Sequence, residues 1–170
     1  SKKSPREIHD PRARAPDRGL NRFIRPIKVP RMKIKSWNVN GIRSVSKKGF
    51  ADWVGDTKSD VVCVQELKAQ AVDLSIEMRD PGSFKGYFHH AEKKGYSGVG
   101  LYCRREPDRV VEGIGRRDID AEGRYLRADF GPLSLISVYL PSGSAGEHRQ
   151  KIKFHFMDHF FPYLKNLAAE

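Results

Sequence analysis

The sequence has 170 residues, of which 38% are hydrophobic and 31% are charged, and its net charge is +11. A chain of this length predicts one domain with a core of its own, because about 150 residues bury roughly 70% of their unfolded surface on folding. No apolar run approaches the roughly 20 residues that cross a bilayer, so a membrane span is excluded, and the positive charge favours a polyanionic partner.

The first 31 residues differ in composition from the rest of the chain. They contain five prolines and ten Lys or Arg against three Asp or Glu, a net charge of +7, whereas the remaining residues carry only +4. Because this segment shows no apolar periodicity, residues 1–31 are predicted to form an extended basic arm that does not fold by itself. We interpret Met32 as the start of the folded part and the arm as an extension of it; a nucleic-acid-binding tail is the alternative.

From Met32 onward, strand-like and helix-like segments alternate, which is typical of an α/β layer fold. The stretch "MKIKSW" alternates apolar and polar residues and predicts a strand, and the continuous apolar run "DVVCVQ" predicts a buried central strand. Between them, apolar residues at roughly helical spacing predict an amphipathic segment: Ile42, Phe50, Trp53 and Val54.

The second part of the chain predicts five more strands and a long helix. "GYFHHA", "SGVGLYC" and "RVVEGI" are short and punctuated by glycines, while "RYLRADF" and "LSLISVYL" are separated only by Gly131-Pro132 and predict a hairpin. Apolar residues at i+3 or i+4 steps from Ile152 to Leu167 predict an amphipathic helix in which Pro162 makes a kink or a restart. A domain that stops at Glu170 would leave a sheet edge and a helix face without partners, so the sequence is expected to be cut there.

The predicted core is made of strand residues. Its members are Val61, Val62, Val64, Leu101, Leu135, Ile136 and Val138. Cys63 and Cys103 lie inside predicted buried strands and not in a ligand-like spacing, so reduced structural thiols are expected.

Three of the predicted strands end in a polar side chain, namely Asn38, Glu66 and Tyr139. Ligand sites in open α/β sheets lie beyond the carboxyl ends of strands, so these side chains could converge on one crevice. Taken alone, Glu66 is more simply a solvated group or a helix cap, and Asn38 a turn residue. Taken together, they offer a carboxylate for a hard divalent ion, an amide to orient a phosphate or a water, and a phenol to donate to a phosphate oxygen.

Five motifs carry a resemblance to a known family: "IKSWNVNGIRS", "DVVCVQELK", "KGYSGVGLY", "EGRYLRADF" and "SVYLPSGS". In this order they resemble the first half of bacterial exonuclease III, in the endonuclease/exonuclease/phosphatase superfamily, over residues 32–170. The resemblance implies a layered α/β sandwich of mixed β-sheets flanked by helices, with about half of the full domain present and chiefly its first sheet. It also implies a cytoplasmic, nucleoid-associated bacterial enzyme that uses Mg²⁺, or alternatively Mn²⁺, to incise duplex DNA at abasic sites and to trim 3′ ends.

The same resemblance implies roles for individual residues. Glu66 would be the metal ligand, Asn38 would belong to the polar network around the attacked phosphate, and Tyr139 would contact or polarise that phosphate. Contacts with DNA are implied for Arg43, Lys47, Lys48, Lys68, Gly95, Tyr96 and Ser97. Without the resemblance, the lysines are a solvated face and the glycine loop is a hairpin turn. Glu122 and Arg124 are expected to brace the site.

The family's second half supplies a Gly-Asp-x-Asn segment, a further aspartate and a Ser-Asp-His segment, and the sequence contains neither of these two segments. The polypeptide alone is therefore expected to be inactive, and a complementary carboxy-terminal fragment or self-association would cover its exposed face. Asp158-His159 imitates the last segment but is interpreted as a helix face, and His89 and His90 as structural histidines.

Two other functions stay open at this stage. A non-catalytic nucleic-acid-binding fragment would hold phosphates with the arm and the basic loops. Another phosphodiesterase of the superfamily, acting on phosphoinositides or sphingolipids, would share the fold. The basic residues and the "KGYSG" loop favour DNA.

Overall fold

The computed structural model describes residues 31–143 and 146–169, so the predicted arm lies outside the described residues except for Arg31. The strands are β1 (Ile34–Asn38), β2 (Val61–Gln65), β3 (Lys85–His89), β4 (Val99–Cys103), β5 (Arg109–Glu112), β6 (Tyr125–Phe130) and β7 (Leu133–Val138). The helices are α1 (Ile42–Ser46), α2 (Phe50–Asp56), α3 (Ile76–Arg79), α4 (Arg117–Asp120) and α5 (Glu147–Leu167), with a 3₁₀ turn at Ala71–Asp73.

The strands form two sheets. One is mixed, with the order β1-β2-β4-β3 and a parallel β1–β2 pair, and the other is antiparallel, with the order β5-β6-β7. The predicted hairpin is confirmed, since β6 pairs with β7 from Phe130 and Leu133 outward across the two-residue connection. Gly131 takes a φ of +60° in that connection, a conformation that costs glycine little.

Strand β2 is the centre of the first sheet, as its apolar run predicted. It pairs with β1 on one side and β4 on the other, and its first four residues are buried. Val62 and Val64 pack toward α1 and α2, while Val61 and Cys63 face the second sheet. A strand that is covered on both faces needs apolar residues at every position, which is why it shows no alternation.

The expectation that the chain supplies chiefly the first sheet is too narrow. Leu126, Ala128 and Leu135 of the second sheet pack against Val61 and Leu101 of the first, so the core between the two sheets is already formed here. Sequence patterns miss this because they do not show which strands pair with which.

Helix α5 covers the outer face of the second sheet. Phe156 and Phe160 are buried there against Tyr125, with Ile136 and Val138 partly buried beside them. The helix is a single element from Glu147 to Leu167, so the expected restart at Pro162 does not occur. No helix within the described part of the chain is long and apolar enough to cross a membrane.

The strand predicted from "MKIKSW" is confirmed as β1, and all five of its residues are exposed. It is the edge strand of its sheet, and its second edge has no strand partner in residues 31–143 and 146–169. Ile34 and Trp37 keep 46% and 39% of their surface accessible. Local alternation is compatible with a strand at the edge or in the middle of a sheet, so exposure could not be read from it.

Both cysteines are free and buried, as expected. They lie on neighbouring strands, and burial raises the pKa of the Cys63 thiol to about 11 and that of the Cys103 thiol to about 12. Both thiols are therefore protonated at neutral pH and belong to the apolar core between the sheets.

Candidate functional site

The loop after β2 holds Glu66 and Lys68 in a constrained conformation. Both residues have a positive φ, +58° and +50°, which is uncommon for residues with a side chain. Backbone hydrogen bonds to Ser97 and Gly98 on one side and to Gly41 on the other fix this loop in place. Non-glycine residues in this region are strained by about 1–3 kcal/mol and persist only where the surrounding contacts determine them, often at functional sites.

The structure brings Asn38, Glu66 and Tyr139 together. The Asn38 amide donates to Glu66 Oε1 at 2.6 Å, and a side-chain hydrogen bond joins Tyr139 to the same carboxylate. Lys68 Nζ lies 3.1 Å from Glu66 Oε2 and also donates to the side chain of Asn40. Asn40 donates its backbone N–H to Asn38 Oδ1 at 3.0 Å, which fixes the direction of the Asn38 amide.

This arrangement determines the charge of the site. Partial burial acts to raise the pKa of Glu66, but the hydrogen bonds from Asn38, Lys68 and Tyr139 outweigh it, and the net pKa lies below the ordinary value of 4.5. The pKa of Tyr139 is raised, first by burial and then by its hydrogen bond to Glu66 and the charge of that carboxylate. At neutral pH the site therefore holds a carboxylate and a phenol that still carries its proton.

Arg124 braces the two tyrosines of the site. Its side chain is 2% exposed and ion-pairs with Glu122. It donates to the Tyr139 carbonyl at 3.1 Å and to Tyr96 Oη at 2.7 Å. Its guanidinium also lies over both rings, 5.0 Å from the centroid of Tyr139 and 5.5 Å from that of Tyr96. The bracing role expected for Glu122 and Arg124 agrees with these contacts.

A cavity of about 400 Å³ opens beside Glu66 and Tyr139. Its lining includes the predicted residues Lys68, Gly95, Tyr96 and Ser97. It also includes Ser142 and Arg149, which sequence reasoning missed. Arg149 lies in the first part of α5, and its position in an amphipathic helix contained no signal that it would reach a site formed by distant strand ends.

The remaining predicted DNA contacts, Arg43, Lys47 and Lys48, do not line this cavity. Arg43 donates to the Lys68 carbonyl at 3.3 Å and lies 3.8 Å from Asp73, so it supports the loop after β2. Lys47 and Lys48 are exposed in the turn between α1 and α2. No hydrogen bond or ion pair that the described residues make connects these two lysines with Glu66.

The histidines agree with their structural interpretation. His89 and His90 each place Nδ1 within 2.8 Å of a backbone carbonyl, those of Tyr125 and Ala69. His159 hydrogen-bonds to the carbonyl of His155 one turn earlier in α5, which agrees with a helix face.

The described residues fit a divalent cation through one ligand. Glu66 is ionised, and its two oxygens can accept more than the hydrogen bonds they already make. Mg²⁺ is commonly held by one or two carboxylates together with water and substrate phosphates, which matches a single carboxylate next to a cationic cavity. Among the described residues there is no group of three or more His, Cys, Asp or Glu that could hold a metal.

Comparison with known proteins identifies the family. Residues 36–164 match the sequence profile of the Endonuclease/Exonuclease/phosphatase family, and the chain belongs to this family. It is 33% identical to an exodeoxyribonuclease of Bacillus subtilis over 137 residues, which are 80% of this chain and 53% of the relative. It is 36% identical to the DNA repair nuclease APEX1 of Danio rerio over 140 residues, 81% of this chain and 45% of the relative.

Solved structures have the same fold. An AP endonuclease from Archaeoglobus fulgidus superimposes with a TM-score of 0.70 at 26% identity, covering 80% of this chain and 52% of that one. The 3′ phosphatase NExo from Neisseria bound to a product DNA hairpin superimposes with a TM-score of 0.72 at 21% identity, over 82% and 54% of the two chains. The chain therefore spans about half the length of these relatives, and the expected half of a layered α/β sandwich is confirmed.

Proposed function

We propose that this chain carries part of the active site of a DNA-repair nuclease that hydrolyses phosphodiester bonds with Mg²⁺, or with Mn²⁺ in its place. The proposed substrate is duplex DNA with abasic sites or damaged 3′ ends. The observation that carries the proposal is the convergence of Asn38, Glu66 and Tyr139 beside a cationic cavity. The chain's similarity to an exodeoxyribonuclease and to an AP endonuclease supports the same reaction class.

Each residue has a chemical task in this proposal. Glu66 would hold the cation, which supplies a Lewis acid that offsets charge on the phosphate and on the leaving oxygen. Asn38 orients the carboxylate through its 2.6 Å hydrogen bond. Tyr139 carries a proton at neutral pH, and it would turn this O–H from the Glu66 carboxylate to a phosphate oxygen on which charge builds. The ammonium of Lys68 pairs with Glu66 at 3.1 Å, and it would be available to a phosphate if Glu66 held a cation.

Metal binding tests the role of Glu66 without requiring turnover. Mn²⁺ titrated into the chain is expected to lose its free electron paramagnetic resonance signal, and Glu66→Gln is expected to abolish that loss. Glu92→Gln, which removes an exposed carboxylate outside this cavity, is the matched control. Equal Mn²⁺ binding by the wild-type chain and Glu66→Gln would show that Glu66 is not the ligand.

We further propose that the 170-residue polypeptide does not turn over by itself. The resemblance assigns the general base to a second half, and a general base contributes about 10²- to 10⁴-fold. Incubation with Mg²⁺ and an abasic duplex should give no incision above background, with the Bacillus subtilis exodeoxyribonuclease as the positive reference. A separately produced complementary carboxy-terminal fragment is expected to restore incision. Turnover near that of the reference by the chain alone contradicts the proposal.

A non-catalytic nucleic-acid-binding role is the second candidate. The concentration of positive charge in residues 1–31, +7 of the net +11, favours it. A salt titration of DNA binding by the chain with and without residues 1–31 separates the two candidate functions. If affinity is lost when the arm is removed, the chain is a binder that depends on its basic tail.

A further inference from the structure

The cavity beside Glu66 contains three cations, and two of them are paired. Lys68 lies 3.1 Å from the carboxylate of Glu66, and Arg124 is paired with that of Glu122. Arg149 lines the same cavity, and in residues 31–143 and 146–169 no carboxylate lies within ion-pair distance of it. The uncompensated positive charge of the cavity is therefore that of Arg149.

Among residues 31–143 and 146–169, Arg149 uses little of its hydrogen-bonding capacity. A guanidinium has five N–H donors, and the side-chain hydrogen bond that Arg149 makes with these residues is to Tyr96 Oη, at 3.4 Å. Tyr96 Oη accepts from Arg124 as well, at 2.7 Å. A phenol oxygen that accepts from two guanidinium groups keeps its own proton available for a third group.

Ser97 provides an independent observation. It lines the same cavity and is 2% exposed, and its hydroxyl has no hydrogen-bond partner among the described residues. A buried hydroxyl without a partner costs about 1–3 kcal/mol, and such groups in native proteins commonly mark a ligand, an ion or a water.

We propose that Arg149, Ser97 and Tyr96 form a subsite for a second phosphate group, next to the phosphate that Glu66 and Tyr139 would act on. The inference rests on the proposed function, and it adds a residue from α5 to a site otherwise built from strand ends and loops. The three side chains offer N–H and O–H donors to one oxyanion, and a planar guanidinium can bind two phosphate oxygens at once. Its ligand is a phosphate oxyanion, either within a nucleic-acid backbone or free.

DNA binding in EDTA tests the subsite apart from any metal. Fluorescence anisotropy with a labelled duplex is expected to show that Arg149→Ala weakens binding about tenfold and lowers the salt slope by about 0.9, the effect of one lost phosphate contact. Arg149→Lys, which keeps the charge but loses the planar fork, should keep the salt slope and recover only part of the affinity. Ser97→Ala should weaken binding without changing the slope.

Lys165→Ala is the matched control, because it removes one positive charge from the last turn of the same helix. It should change affinity by less than about twofold, as an exposed charge far from the contact. If Arg149→Ala and Lys165→Ala lower affinity and slope equally, the effect is one of net charge and the subsite is refuted. Circular dichroism melts identify any variant that loses affinity because it unfolds.

A second experiment distinguishes a phosphate in a nucleic-acid backbone from free phosphate as the ligand. It also distinguishes failure of the subsite from failure of the proposed function. Inorganic phosphate is titrated by calorimetry into the wild-type chain and Arg149→Ala. If the wild-type chain binds inorganic phosphate but not the duplex, and Arg149→Ala removes the phosphate binding, the ligand of the subsite is free phosphate. This outcome refutes DNA as the substrate. Duplex binding that Arg149→Ala leaves unchanged refutes the subsite alone, and binding of neither ligand refutes both.

Discussion

The charge state of Glu66 depends on three other side chains. Asn38 ends β1 and Tyr139 follows β7, whereas Lys68 comes two residues after Glu66 in the same loop. Each of them donates a hydrogen bond to the carboxylate, and hydrogen bonds to the ionised form lower a pKa. The site therefore keeps an anion ready at neutral pH even though it is partly removed from water, and the nearby charge of Lys68 stabilises that anion further.

The lowered pKa of Glu66 predicts how stability changes with pH. Because its folded-state pKa lies below 4.5, this carboxylate contributes stability that is fully present above about pH 4.5 and is lost as the pH falls through the folded-state value. Glu66→Gln removes this contribution. The free energies of unfolding of wild type and Glu66→Gln, measured by urea denaturation, should differ more at neutral pH than in acid. A difference that is constant with pH, or that also appears for Glu92→Gln, contradicts this.

At the scale of elements, α5 connects the second sheet with the site. Its apolar face is buried on the sheet through Phe156 and Phe160, and its first part carries Arg149 to the cavity beside Glu66. The docking of the helix thus determines where Arg149 lies, and weakening that docking should affect both stability and phosphate binding.

Two phenylalanines of α5 test the docking. Phe160 is 5% exposed and packs edge-on against Tyr125, whereas Phe154 of the same helix is 58% exposed. Phe160→Ala should lower the free energy of unfolding by about 3–5 kcal/mol, since it leaves a cavity under the helix. Phe154→Ala should change it by less than about 0.5 kcal/mol. Guanidinium denaturation measures both, and equal losses would show that the helix does not dock through this face.

Gly123 is a second point where an element depends on one residue. It has a φ of +59°, and a Cβ added to it would lie 2.5 Å from the backbone of His90 and Ala91. Gly131 has nearly the same φ, +60°, but open space around its Cβ position. Gly131→Ala should therefore cost about 1 kcal/mol for the backbone conformation alone. Gly123→Ala should lower the stability measured by thermal denaturation clearly more than Gly131→Ala does, and it should displace Arg124, which follows Gly123 directly. Equal losses of stability in the two variants would show that the close approach does not matter.

Local patterns predicted the parts of the molecule that local chemistry determines. The β-branched run predicted β2, and the polar residues at the ends of three strands predicted the meeting of Asn38, Glu66 and Tyr139. The parallel strands β1 and β2 end at a shared edge, and β7 of the second sheet packs over β2. The exposure of β1 and the role of Arg149 could not be predicted in this way. Both depend on which elements become neighbours, a property of the whole fold that no local pattern contains.

At the scale of the whole molecule, the sandwich formed by residues 31–143 and 146–169 is open on one side. Strand β7 packs over β2 and β4, and β6 packs over β4 and β3, so β1 extends beyond the second sheet. The amide of Val39 donates to the carbonyl of Gln65, which shows that odd-numbered positions bond toward β2. Strand alternation then turns the backbone groups of Ile34, Ser36 and Asn38 to the open edge. An open edge with exposed apolar side chains is a template for pairing with another strand.

This edge predicts that the chain associates, with a second copy or with the complementary fragment, through β1. Ile34 is 46% exposed on the edge strand, and a lysine there places a charge where a new strand would pair. Ile34→Lys should shift sedimentation velocity profiles toward the monomer at every protein concentration and should weaken capture of a complementary fragment. Ile76→Lys is the matched control, because Ile76 is 68% exposed on α3, away from the edge. If both substitutions reduce association equally, general surface hydrophobicity drives it and β1 is not the contact.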